Sequence, residues 1–359
     1  MNLRQAVRLP RTPRSIALTV WAVAFAVFCV TQGLPLDRGT QTVWILLALF
    51  AVNLGRPWRT QVRIVVDWLP FVGFLYLYDY TRGFAARLGR PVNVHAAVNF
   101  DSWLFHGNIP TAWLQQHFYD PARVHWYDIV VSLVYFSHFF VVWIVAAVLY
   151  ARSRDEWARW ARRLLLLSYA GLVTFIVFPS APPWYAGETG VIPNVQRIAQ
   201  RGWDALDLRI AGDLISKAQG GVNDFAAVPS LHAAFTAMLT VFVWTKLHRT
   251  GRILMVVYTL AMALSLIYGG EHYVFDILIG YLYVAAVVLF ANWWERRRAH
   301  RRADRERIET SADGQVRDRV DITDGARSAG GADDDATTGT ATGLEAGPPS
   351  GQAEPADAP

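Results

Sequence analysis

The chain has 359 residues, of which 53% are hydrophobic and 18% charged, and a net charge of +5. Its apolar residues fall in blocks close to or beyond bilayer-spanning length, which excludes a water-soluble domain and implies an integral membrane protein. The basic balance does not point to nucleic acid, because the arginines form short clusters between those blocks, where membrane topology predicts them.

The blocks cover 15–32, 41–54, 64–80, 127–150, 164–178, 230–247, 253–269 and 272–294, each separated from the next by Gly, Pro or clustered charge. The expected fold is therefore all-α and polytopic, with about eight transmembrane helices. The second and fifth blocks are short for a hydrocarbon core of roughly 30 Å at 1.5 Å per residue. Arg4, Arg8, Arg11 and Arg14 precede the first block, but no A-x-A-like cleavage site follows it, so it reads as an uncleaved helix. Cys29, the only cysteine, lies inside that helix and can form neither an intrachain disulfide nor a cysteine metal site.

Arginine clusters at 56–63, 152–163 and 296–298, together with Lys246, Arg249 and Arg252, alternate with the N-terminal arginines as cytoplasmic positions when eight spans are counted. Both termini are then cytoplasmic, and loops 33–40, 81–126, 179–229 and 270–271 face outward. The outer segment 81–126 is rich in Trp, Phe and Tyr and is expected to lie partly in the headgroup layer, with an amphipathic helix near 110–118. Beyond about residue 300 large apolar side chains almost vanish, the composition of a segment that cannot offset the entropy of ordering.

Two stretches carry chemistry, and the charge pattern puts both on the outer side. His272 and Asp276 are four residues apart at the start of the last apolar block, so one helical face presents both. The carboxylate can hold one imidazole nitrogen and leave the other as a nucleophile. A structural His–Asp pair that ties helices together fits the same spacing. In Pro229-Ser230-Leu231-His232, the proline suits the first turn of a helix. The free N–H groups of such a turn favour an anion such as phosphate, toward which His232 would point. His138, deep in the fourth block, is expected to be a hydrogen-bonded packing residue. A serine-hydrolase reading of Ser230 fails, because the G-x-S-x-G elbow is missing.

Pro229-Ser230-Leu231-His232, followed by Ser265 through His272 to Asp276, resembles the second and third motifs of the type 2 phosphatidic acid phosphatase superfamily. Ala181-Pro182-Pro183-Trp184-Tyr185 ahead of it resembles the inositol phosphorylceramide synthase branch, the aureobasidin-resistance type. His272-Tyr273 to Asp276, with Tyr281 beyond, is also similar to sphingomyelin synthases. The resemblance implies that His272 attacks phosphorus, Asp276 orients it and His232 protonates the leaving oxygen, without a metal or other cofactor. Water or an alcohol acceptor then takes the phosphoryl group from the lipid phosphate or phospholipid.

Two departures concern cations. Leu266 stands where the phosphatase pattern has an arginine, and its early Lys followed by Arg-Pro is approached only by Arg82 and Arg90-Pro91. Arg82 and Arg90, with Ser230, are the expected phosphate-binding residues, although an interfacial role with lipid headgroups also fits the two arginines; Arg197, Arg201, Arg209 and Lys217 are rivals. Trp184 and Tyr185 suit an interface and are expected to line lipid access to the site, although interfacial anchoring fits them equally. The corresponding division is a cytoplasmic N-terminus at 1–14, N-terminal helices and an outer interfacial segment at 15–126, a catalytic bundle at 127–298 and a disordered cytoplasmic tail at 299–359. The expectation is a plasma-membrane lipid phosphatase or phosphotransferase with an outward-facing site, in contact with membrane lipids. The competing class is a non-catalytic lipid-binding or scaffolding protein of the same fold. The Arg- and Ala-rich, lysine-poor composition suggests a high-GC bacterial origin, which argues against ceramide.

Overall fold

The structure is a computed structural model that describes residues 12–35, 37–85, 88–205 and 223–329, with side chains described as far as 307 except at 204–205. Arg209 and Lys217 lie outside the described residues. The chain divides into two compact units, Met1–Trp293 and Trp294–Pro359.

Every expected apolar block is a helix. They are α1 (Pro13–Gln32), α2 (Arg38–Val52), α3 (Trp58–Ala85), α6 (Trp126–Arg152), α7 (Arg154–Val177), α10 (Leu231–Val243), α11 (Arg249–Tyr268) and α12 (Val274–Ala329). Four shorter helices lie between them among the described residues: α4 (His95–Leu104), α5 (Pro110–Phe118), α8 (Pro183–Glu188) and α9 (Gly202–Ala205). The helix expected near 110–118 is α5. Among the described residues, extended pairing is limited to isolated bridges of Ser180 with Asn93 and Ala226.

Six helices among the described residues are long and apolar enough to cross a membrane; α2 and α10, with 15 and 13 residues, are shorter. The fifth block, short by itself, extends into its N-terminal flank: α7 has 24 residues. Ser153 caps it by accepting the Glu156 N–H, and Trp157, Trp160, Ala161, Leu164 and Leu167 bury one stripe that runs through the arginine cluster. Helix α10 is short because its last turn tightens to a 3-10 turn at Trp244–Lys246.

The main core joins Trp68 of α3, Trp160, Leu164 and Leu167 of α7 and Met238 of α10, all nearly or fully buried. At one end of the bundle, Arg154 pairs with Asp67 at 2.5 Å, Lys246 pairs with Glu156, and Arg14 Nε donates to Leu54 O. At the other end the long connections meet. Asn93 N donates to Pro179 O, Trp184 N to Gly270 O and Ile198 N to Gly269 O, while Gln115 Nε2 donates to Gln196 O and Tyr268 O. That end carries both motif stretches. Of the tail expected to be disordered, 299–329 continues α12 and 330–359 lie outside the described residues. Arg and Ala, which dominate 296–307, are good helix formers even without an apolar face.

Candidate active site

The last helix begins one residue after Tyr273, and the turn before it fixes the nucleophile candidate. His272 Nδ1 lies 3.2 Å from Asp276 Oδ2, which also accepts the Tyr273 N–H at 3.0 Å. With the proton on Nδ1, the lone pair on Nε2 is free for attack. Asp276 is fully buried and His272 nearly so. The turn is built by Gly270, whose φ of +77° suits glycine and whose Cβ position would fall 2.5 Å from Gln196 O.

Ser230 is the N-cap of α10: its Oγ accepts the Ala233 N–H, and Leu231 is the first helical residue. Pro229 therefore precedes the cap and lies two positions before the first helical residue, which corrects its expected place in the first turn. The backbone ties the two motifs together directly, since Ser230 N donates to the Asp276 carbonyl at 3.0 Å. Such an approach requires Gly280, where a Cβ would fall 2.7 Å from Ser230 O.

His232, in the first turn of α10, lies with its ring centroid 5.9 Å from that of His272. Its ring stacks on Tyr135 at 5.2 Å and touches His138 at 4.1 Å, both from α6. His232 Nε2 and Asp276 Oδ1 are buried without a hydrogen-bond partner among the described residues. The expected hydrogen bond of His138 is absent at its Nδ1. His138 also borders a cavity of about 10 Å³, enough for one water, with Phe235, Thr236 and Tyr258.

The cation candidates separate. Arg82 closes α3, and Arg197 lies in the loop after α8. Arg197 is forked onto Glu271, next to His272, at 2.9 and 3.2 Å, and its guanidinium lies over Trp184 at 5.5 Å. Arg82 lies over Tyr78. Arg90 is exposed ahead of α4, and Arg201 lies over Tyr119. Leu266 is fully buried in an apolar cluster with Tyr135, Ala233, Met262 and Ile277. Trp184 and Tyr185 are half-buried on α8; Trp184 meets Arg197, and Tyr185 packs against Phe225.

Sequence reasoning missed Asp101 of α4. This fully buried carboxylate accepts the Val274 and Phe275 N–H groups at 3.0 and 2.9 Å. Burial pushes it up from 3.8 to about 6, the two backbone donors working in the opposite direction. A signal existed in the form of a lone acid inside an apolar, aromatic segment.

The PAP2 superfamily profile matches residues 98–290, a range that contains Asp101, both histidines and Asp276. The phosphoinositol dihydroceramide synthase of Bacteroides thetaiotaomicron is 26% identical over 274 residues, which cover 73% of this chain and 86% of that protein. No solved structure matches the chain significantly. A helical membrane bundle, with more than half its length matched, makes this chain a member of the PAP2 superfamily.

Proposed function

We propose that the protein transfers a phospho-headgroup between a phospholipid and an alcohol through a phosphohistidine on His272. The observation that carries this reading is the pair of imidazoles 5.9 Å apart, one held by a buried carboxylate and the other with a buried, unpartnered Nε2. A single phosphoryl group can reach both rings. Superfamily membership and the relative's name support the coarser statement, a membrane enzyme that acts on a lipid phosphate.

In the first step the His272 Nε2 lone pair attacks phosphorus. The bond from phosphorus to the lipid oxygen breaks, and that oxygen takes a proton from His232. In the second step an acceptor hydroxyl gives its proton to His232 while its oxygen attacks phosphorus and releases the imidazole. Arg82, Arg197 and the free N–H groups of the first turn of α10 carry the charge that develops on the phosphoryl oxygens. Ser230 contributes through its cap, which sets the direction of that turn. Arg197 supplies from a loop the charge that an arginine in place of Leu266 would supply, so the apolar cluster around Leu266 stays intact.

Transfer is favoured over hydrolysis by the Pro-Pro-Trp-Tyr loop and by the name of the relative. That relative is bacterial and is named for phosphoinositol dihydroceramide, so the compositional argument against a ceramide acceptor loses its force. The charge pattern supports an extracytoplasmic site in the plasma membrane with both termini inside. The test uses purified full-length protein and its His272→Ala variant with phosphatidylinositol labelled in the headgroup, with and without dihydroceramide. A labelled ceramide product made by the wild type alone is expected. Release of soluble label in both conditions would make it a hydrolase, and identical products from the two proteins would remove the enzymatic reading.

A further inference from the structure

The first turn of α12 holds the chemistry, yet it is gripped from outside by α4. Asp101 has no exposed surface, and no ion pair to it occurs among the described residues. A buried carboxylate in that condition is costly unless hydrogen bonds compensate. Here the compensation comes from the first two N–H groups of α12 and from the positive end of that helix. Around the contact, Phe100 packs on Phe275 at 5.0 Å, and Ala97 shares an apolar cluster with Tyr273. Asp276 takes the Tyr273 N–H from within the same turn. Three consecutive backbone donors, at 273, 274 and 275, are thus occupied by two carboxylates, and one of the two also holds His272.

Because those N–H groups are occupied, α12 offers none of them to a substrate anion. The arrangement suits another purpose, which is to fix the backbone between His272 and Asp276. If the turn relaxes, Asp276 Oδ2 must divide its two contacts, at 3.0 and 3.2 Å, between a moving Tyr273 N–H and a moving imidazole. We propose that Asp101 is a positioning residue for the nucleophile, holding the first turn of the last helix so that the Asp276 carboxylate and the His272 ring stay aligned. The inference rests on His272 being the nucleophile.

The experiment is a single turnover of full-length enzyme in nanodiscs with headgroup-labelled phosphatidylinositol, in which both the rate and the amplitude of base-stable labelled protein are followed. Wild type, Asp101→Ala, Asp101→Asn and His272→Ala are compared, each with its melting temperature. Expected is a fall of roughly 100-fold in the rate for Asp101→Ala, the scale of a misplacement of about 1 Å at a reacting centre. Its amplitude and KM remain near those of the wild type. Asp101→Asn, which keeps one acceptor, falls between them and serves alone if the alanine variant does not fold. A drop in amplitude that tracks a lowered melting temperature, with the rate unchanged, would make Asp101 merely structural and overturn the proposal. Unchanged rate and amplitude in both Asp101 variants would overturn it too. Labelling of His272→Ala would instead remove the underlying reading and leave the positioning claim without an object.

Discussion

The two arginines that the sequence pairs as phosphate ligands end in different places. Arg82 closes α3 with its guanidinium over Tyr78, whereas Arg90 is exposed ahead of α4. Arg82→Ala is expected to lower kcat/KM by about 100-fold, the scale of losing one preorganised charge at a transition state, and Arg90→Ala by less than about twofold. Steady-state kinetics on both variants check the difference. The pairing of His272 with Asp276 was legible but its cause was not: His272 precedes α12, and the turn before the helix, not a shared helical face, brings its ring to the carboxylate. Arg197 could be no more than one rival among several, because its tie to Glu271 spans 74 positions of chain. His138 was read as packing, and its contact with His232 comes from a helix pairing that no local pattern encodes.

At the scale of elements, the site depends on how closely α12 approaches the start of α10. Gly280 permits that approach, and the alanine Cβ would meet the Ser230 carbonyl, a backbone atom that cannot swing aside. Gly280→Ala is expected to destabilise the protein by about 1–3 kcal/mol, the usual range for overpacking, and to lower kcat as the two motifs separate. Thermal unfolding and kinetics measure the two effects. Asp101 adds a pH dependence. Its folded value, about 6, lies above its ordinary 3.8, so the fold favours the protonated form. The stability that this contributes is complete below about pH 4 and is lost as pH rises through about 6. Relative to Asp101→Asn, the wild type should therefore lose a few degrees of melting temperature between those values, and parallel melting curves would contradict the assignment. Helix positions were legible from apolar blocks, but lengths were not: α7 continues through arginines because one stripe of it is aromatic and buried, a pattern that average hydropathy hides.

For the molecule as a whole, the bundle and its long connections were legible, and the meeting of those connections at one end was implied by counting spans. What brings α4 against α12 was not legible, because Asp101 and Val274 are 173 positions apart and join through backbone donors. The proposal that the site faces outward rests on arginine placement and is open to a direct check. Ser180 is buried, so a label belongs instead at exposed Glu188 on α8. In a Cys29→Ser background, Glu188→Cys should react with an impermeant maleimide added outside intact cells; reaction only after the cells are opened would reverse the orientation. The claim on which the rest depends is that phosphorus is carried on His272 between two oxygens. The most direct measurement is the configuration at phosphorus when a phosphatidylinositol phosphorothioate of single configuration is turned over with a hydroxyl acceptor. Two successive in-line displacements predict retention; inversion would mean direct transfer and would contradict a phosphohistidine.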